Sequence, residues 1–269
     1  MQKVIIVTGS TDGIGFETAK MLVSQDHHVL LHGRNPAKLK DVEEQLTKLQ
    51  GSGRVETYVA DLSKMSEVNT LAHEIKAQHS QLDVLINNAG VYNTPVTATN
   101  DGFDVRFAVN TFAPYLLTKA LLSVLGQSGR VINLSSAAQA TVNLDALAGN
   151  APLSAGEAYA QSKLAITMWS RSMGLALKES GPMIASVNPK SLLGSKMVKS
   201  AFGIAGSDLS VGADILVRGA LSDEFADAHG QYFDNDIGQF GQPHPDALND
   251  QKVQAVMAAM DAALEKLRK

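Results

Sequence analysis

Cysteine is absent from this 269-residue chain, which excludes disulfides, thiol nucleophiles and thiolate metal sites together. The absence is compatible with a reducing compartment, so a cytoplasmic location is expected. No long run of one charge sign occurs and the formal net charge is -4, so nothing attracts the backbone of a nucleic acid. The first apolar run, Val4-Ile5-Ile6-Val7, is too short for a signal h-region or a membrane span, and no membrane partner is expected. The histidines form no His-x-x-x-His pair on a helix and no Gly-x-Ser-x-Gly elbow occurs, which disfavours a zinc hydrolase and an α/β-hydrolase; no metal is expected. Repeats, low-complexity tracts and Pro-rich linkers that would divide the chain are missing as well.

What is present is the composition of one globular domain, with 45% hydrophobic and 19% charged residues. Short apolar runs alternate with longer amphipathic segments from the start. Strands are expected at Val4–Val7, Val29–His32, Val55–Val59, Val84–Ile86, Arg130–Leu134, Ile184–Val187 and Gln231–Phe233. Helices are expected at Gly15–Ser24, Pro36–Leu49, Lys64–Gln78, Phe112–Leu125 and Glu157–Lys178. Strands that are apolar throughout suit a parallel sheet covered on both faces, so the pattern predicts an α/β, doubly wound, Rossmann-type sheet of about seven strands. The domain is expected to span residues 1–235, with residues 236–269 as a C-terminal extension packed on it. In that tail Val253, Val256, Met257, Met260 and Leu264 recur at helical spacing. Residues 137–156 read as a long loop and 190–210 as a mobile flap; both are expected to shape a substrate pocket.

Directly after the first strand comes Thr8-Gly9-Ser10-Thr11-Asp12-Gly13-Ile14-Gly15, and then a helix. Glycines let backbone N–H groups approach a pyrophosphate closely, and the helix N-terminus adds partial positive charge. This octet resembles the cofactor turn of the short-chain dehydrogenase/reductase family, and further matches follow in order. Asn87-Asn88-Ala89-Gly90 resembles the family segment that lines the cofactor site, and Asp61-Leu62 resembles the aspartate that caps the adenine end. The resemblance runs from about residue 3 to residue 235 and implies that Gly9, Ser10, Thr11, Gly13, Ile14, Gly15, Asp61, Leu62, Asn88, Ala89 and Gly90 hold a nicotinamide cofactor.

At the end of the second strand, Gly33 offers no carboxylate for the ribose 2′-hydroxyl of NAD, while Arg34 offers a planar fork suited to phosphate, so NADP is favoured over NAD. Asp12 complicates that choice unless its carboxylate faces away from the phosphate.

Tyr159 and Lys163 stand four apart on a predicted helix, hence on one face, where a cation favours phenolate and lowers the phenol pKa. Ser135-Ser136 closes the fifth strand at the carboxyl edge, and alternation points Ser135 to the opposite face. By resemblance Ser136, Tyr159, Lys163 and Asn110 form the family's catalytic set, with Lys163 also holding the nicotinamide ribose and Asn110 holding a water. A long insertion between Ser136 and Tyr159 resembles the retinol-dehydrogenase-like branch. The implied activity is hydride transfer between NADP(H) and the carbonyl or alcohol carbon of a small, apolar molecule by a homo-oligomer. The alternative is a non-catalytic nucleotide-binding regulator or scaffold on the same fold.

One departure stands out. The family's Pro-Gly after the sixth strand is here Asn188-Pro189-Lys190, and we expect negative φ at Lys190 because Pro189 fixes only its own φ. Pro189, Ser191 and Ser195 remain candidates to hold the carboxamide end or the pyrophosphate. Asp234-Asn235-Asp236 reads as a solvated loop rather than a cation site.

Overall fold

A computed structural model describes residues 1–49, 51 and 53–267; Arg268 and Lys269, the last of the predicted extension, lie outside the described residues. The elements run β1 (Val4–Val7), α1 (Gly13–Ser24), β2 (His28–Gly33), α2 (Pro36–Leu46), β3 (Arg54–Val59), α3 (Met65–Gln78) and β4 (Val84–Asn87). Then follow α4 (Val105–Phe107), a π-helical turn (Ala108–Phe112), α5 (Ala113–Leu125), β5 (Arg130–Leu134), α6 (Leu144–Leu147) and α7 (Ala155–Ala176). The chain closes with β6 (Met183–Asn188), α8 (Lys196–Phe202), α9 (Leu209–Leu221), β7 (Tyr232–Asp234), β8 (Gln239–Gly241) and α10 (Asp250–Lys266).

The strands form one sheet in the order β3-β2-β1-β4-β5-β6-β7-β8. All neighbours pair in parallel except β7 and β8. The expected seven strands are therefore eight. The additional one, β8, is three residues long and follows Gly238 at φ +70, so it carries too short a pattern to register as a strand. It pairs with β7 and takes the sheet past residue 235, the boundary expected from sequence.

Alternation along the strands builds the two faces. Ile6, Leu30, Leu85, Val131 and Ile184 face the layer of α3, α5 and α7, while Ile5, Val7, Val29, Leu31, Ile86, Ile132 and Val187 face α1, α2 and α9. Crossovers diverge on either side of β1, and such a switch point opens a crevice at the carboxyl ends of the strands. The stretch Val105–Leu125 is long and apolar enough to cross a membrane by length and composition, but 72% of it is buried in the fold. The flap is more ordered than its glycines imply, since it contains α8 and the start of α9. Its neck is closed where Gly194 N–H donates to Ser207 O at 2.7 Å and Ser207 N–H to Leu192 O at 2.9 Å. In the tail, α10 buries Val253, Val256, Met260, Ala263 and Leu264, and Asp261 accepts from the Tyr115 hydroxyl of α5 at 2.9 Å.

A buried polar chain fixes the helix that carries Tyr159 against the sheet. Asn87 Nδ2 on β4 donates to Asn133 Oδ1 on β5 at 2.8 Å, and Asn133 Nδ2 donates to Ser170 Oγ on α7 at 2.8 Å. Ser170 donates onward to Ile166 O at 2.5 Å, and Asn87 also reaches Thr118 of α5 at 3.2 Å. Buried polar groups are costly only when unpaired, so the chain stabilises by being complete. Asn133→Ala is expected to cost about 2–4 kcal/mol, because it strands Asn87 and Ser170 and leaves a cavity. Urea unfolding measures this, and a loss below about 1 kcal/mol would show that the layer does not hold α7 in place.

Candidate active site

The glycine turn connects β1 to α1 under tight steric limits. Gly9 has φ +67, and a Cβ there would lie 2.9 Å from Ala89 Cα; a Cβ on Gly15 would lie 2.3 Å from Gly9 O and 2.4 Å from Asn88 Nδ2. Asn88 uses its amide to bind Thr8 O at 2.9 Å and Gly9 O at 3.2 Å, so the end of β4 is stapled to the turn. These contacts leave a cradle of bare backbone of the kind a pyrophosphate needs. Gly13 and Ile14 open α1, with the Asp12 side chain accepting from Gly13 N–H at 2.9 Å. Asp12 is also paired with Lys196 of the flap, which balances its charge beside the turn.

Not every residue of the predicted set faces this cradle. Ser10 is fully buried, and its hydroxyl and N–H are both engaged with His32 of β2. The Leu62 side chain belongs to the core, and Asp61 caps Ser63 through its N–H at 3.0 Å and its hydroxyl at 2.8 Å. Thr11 packs against Gly33, where any Cβ would come within 2.7 Å of the threonine methyl. A side chain at position 33 would have to displace the Thr11 methyl. Arg34 is exposed at the end of β2 and is engaged by no ion pair among the described residues.

The four predicted catalytic residues converge at the carboxyl edge of β5. Helix α7 starts with a reciprocal capping box between Ser154 and Glu157, worth about 1 kcal/mol, which sets its first turn just before Tyr159. Lys163 Nζ lies 5.7 Å from the centre of the Tyr159 ring and donates to Leu134 O at 2.6 Å. Ser136 lies close enough to Tyr159 to influence its phenol, while Ser135 turns away to Lys163 O at 3.1 Å and Thr167 Oγ1 at 2.7 Å. Gly90 joins the two halves of the site, since a Cβ there would lie 3.5 Å from Asn110 Oδ1 and 3.6 Å from Lys163 Nζ.

Asn110 lies within the π-helical turn, a distortion often found at functional positions. Its side-chain amide is engaged within the protein. Oδ1 accepts from Val91 N–H at 2.8 Å, and Nδ2 donates to Val91 O and Ser162 Oγ, each at 3.0 Å. It braces the segment after Gly90 against α7.

The electrostatics also differ from expectation. Burial pushes the Tyr159 phenol above its ordinary range, the Ser136 hydroxyl works against this, and neighbouring Tyr92 adds to the rise. The expected lowering by Lys163 is not found. Burial pushes that ammonium down to about 7 from its ordinary 10.5, so near neutrality it is a weak source of positive potential.

Residues that the motifs did not reveal complete the site. The Tyr92 ring lies 4.9 Å from that of Tyr159, and only its place two residues after Gly90 could have signalled it. The Ser136 carbonyl accepts from Gln139 Nε2 at 2.8 Å and from the Tyr232 hydroxyl at 3.3 Å.

After β6 the structure overturns one expectation. Lys190 has φ +116, not a negative value, and Leu192 has φ +55. Such conformations cost of the order of 1–3 kcal/mol each in residues with side chains. Asp236, exposed in the turn after β7, accepts from Ser191 N–H at 2.9 Å, Ser191 Oγ at 2.6 Å and Asn188 Nδ2 at 2.8 Å. Both Ser191 donors are therefore spent within the protein. Asn235 Nδ2 donates to Pro189 O at 3.0 Å, and Ser195 caps α8 by accepting from Val198 N–H at 3.2 Å.

A glycine turn at the switch point of a doubly wound sheet, with a Ser-Tyr-Lys set beside it, defines an α/β protein of the dinucleotide-binding class. The family model described as short chain dehydrogenase matches residues 3–203, and the chain belongs to that family, in its retinol-dehydrogenase-like branch. It is 36% identical over 209 residues to human polyprenol dehydrogenase, covering 74% of this chain and 63% of that protein. With human retinol dehydrogenase 11 it shares 35% identity over 204 residues, covering 74% of this chain and 64% of the relative. The chain thus spans just under two thirds of the length of these two relatives. A metagenomic short-chain oxidoreductase solved in complex with NADP superposes with a TM-score of 0.61 at 29% identity, covering 81% of this chain and 90% of that one.

The buried lysine makes a pH prediction. Its pKa is lowered on folding, so below about 7 the folded protein bears the full cost of burying an ammonium. Between about 7 and 10.5 the folded lysine is neutral while the unfolded one still carries its proton, so stability rises with pH in that window. Thermal melts of the unmodified protein and Lys163→Met across this range are expected to show the unmodified protein gaining relative to the variant. A constant difference would mean that Lys163 stays charged in the fold.

Proposed function

We propose that the chain transfers a hydride between NADP(H) and the carbonyl or alcohol carbon of a small, apolar substrate, with Tyr159 as general acid/base. The observation that carries this reading is the convergence of Asn110, Ser136, Tyr159 and Lys163 beside the backbone cradle at Gly9 and Gly15. The fit to a dinucleotide rests on that cradle, which side chains would fill. The turn Gly9–Gly15, with Asp61, Ala89, Gly90, Lys163 and Pro189, would hold the nucleotide. NADP(H), when bound, supplies the hydride. Its 2′-phosphate is matched by the unpaired Arg34, by the absence of a carboxylate at Gly33 and by the pairing of Asp12 with Lys196.

Tyr159, with its pKa raised by burial, keeps its proton near neutrality and would donate it to a carbonyl oxygen in reduction. Ser136, beside Tyr159, would hydrogen-bond the same oxygen as charge develops on it. An apolar substrate is supported by the names of two relatives, which refer to polyprenol and retinol. It is also supported by the exposed Leu144 of the loop and by Leu192 and Ile204 of the flap.

Two experiments test this. Tyr159→Phe deletes the titrating hydroxyl, and turnover of aldehydes or ketones with NADPH is expected to fall by about a hundredfold or more while nucleotide affinity holds. Nucleotide binding without turnover of any carbonyl by the unmodified protein would instead favour the regulator or scaffold reading. For cofactor choice, NADPH is expected to bind more tightly than NADH, and Arg34→Ala to erode the preference by roughly 10- to 150-fold, the range for a charge-assisted contact. Equal affinities in the unmodified protein would leave Arg34 a surface charge.

A further inference from the structure

Three of the described residues other than glycine have positive φ, and two of them, Lys190 and Leu192, flank Ser191 in the segment that leaves β6 for the flap. A glycine would take these angles freely; lysine and leucine hold them only where surrounding contacts over-determine the backbone. The contacts are identifiable. On the far side, the flap neck fixes Leu192 through the bond from Ser207 N–H to its carbonyl. On the near side, both donors of Ser191 converge on the Asp236 carboxylate, which also takes Asn188 Nδ2 from the last residue of β6. Asn235 holds the intervening Pro189 carbonyl, and its own N–H donates to Asn188 O at 3.1 Å. The turn after β7 thus grips every residue from Asn188 to Ser191 except the strained lysine. Burial works to raise the Asp236 carboxyl, but the bonds from Ser191 and Asn188, with the nearby Lys190 charge, outweigh it and keep the group below the usual carboxylate range.

We propose that Asp236 is a positioning residue for the nucleotide site, holding the segment Pro189–Leu192 in the strained conformation that presents its backbone to the cofactor. The proposal rests on the NADP(H) reading above. Asp236 reaches the site only through Ser191 and Asn188 and takes no part in the chemistry. In this chain the carboxylate does by hydrogen bonding what a glycine at position 190 would do by its freedom.

That equivalence gives the test. NADPH is titrated, with nucleotide fluorescence as readout, into the unmodified protein, Asp236→Ala, Lys190→Gly and the double variant. Asp236→Ala is expected to weaken NADPH binding by about tenfold or more, the scale set by one strained residue. In the Lys190→Gly background the same change is expected to cost about threefold or less, because glycine keeps the conformation unaided. If Asp236→Ala does not fold, Asp236→Asn is compared across the two backgrounds; it keeps the size and can still accept one Ser191 donor. An equal loss in both backgrounds would overturn the proposal and leave Asp236 a support of the β7–β8 hairpin. So would an Asp236→Ala affinity within about twofold of an unmodified protein that binds NADPH. An unmodified protein with no affinity for NADPH would overturn the functional reading itself, and this inference with it.

Discussion

At the carboxyl end of β1 two backbones pass closer than side chains allow, and the arrangement of the site follows from that approach. Gly9 lies against Ala89, and Gly15 lies against Gly9 O and the Asn88 amide. Because Asn88 hydrogen-bonds the turn directly, β1 and β4 end at one fixed level. From there Gly90 brings the chain beside Asn110 and Lys163, and the Asn87–Asn133–Ser170 chain sets α7 at the matching depth. A side chain at Gly9 or Gly15 would displace more than the glycine turn, since α7, which carries Tyr159 and Lys163, is referenced to the same strands.

Burial is the second organising force. Lys163 is almost fully enclosed, with one protein acceptor, and Tyr159 lies under Tyr92. The two groups respond in opposite senses, the phenol upward and the ammonium downward, because each favours its uncharged form. Near neutrality the proton therefore rests on the phenol oxygen, the state the proposed general acid requires.

The sequence made the glycine turn, the alternating strands and the spacing of Tyr159 and Lys163 plain because each is local: a few consecutive residues carry the pattern. The strand ends, and hence the placing of Ser136 at the carboxyl edge, followed from apolar runs alone. What escaped was set by residues distant in the chain. The φ of Lys190 depends on Asp236, and no rule about its neighbour Pro189 could reveal it. The commitment of Ser10 to His32 depends on how β2 lies against the turn, and the rise at Tyr159 depends on Tyr92 and the depth of α7. The π-helical turn at Asn110 has no glycine or proline to mark it, and β8 has too few residues to show alternation.

The closed neck of the flap has a consequence for how this architecture diversifies. A Cβ on Gly206 would lie 2.6 Å from Gly194 Cα, so the two ends of the excursion are held together whatever lies between them. Once the ends of a loop are pinned, doubling its length adds only about 0.6 kcal/mol of closure entropy. A change of length within 195–205 is therefore cheap in closure, but the interval also carries Lys196, the partner of Asp12 beside the glycine turn, so the pinned excursion and the turn vary together.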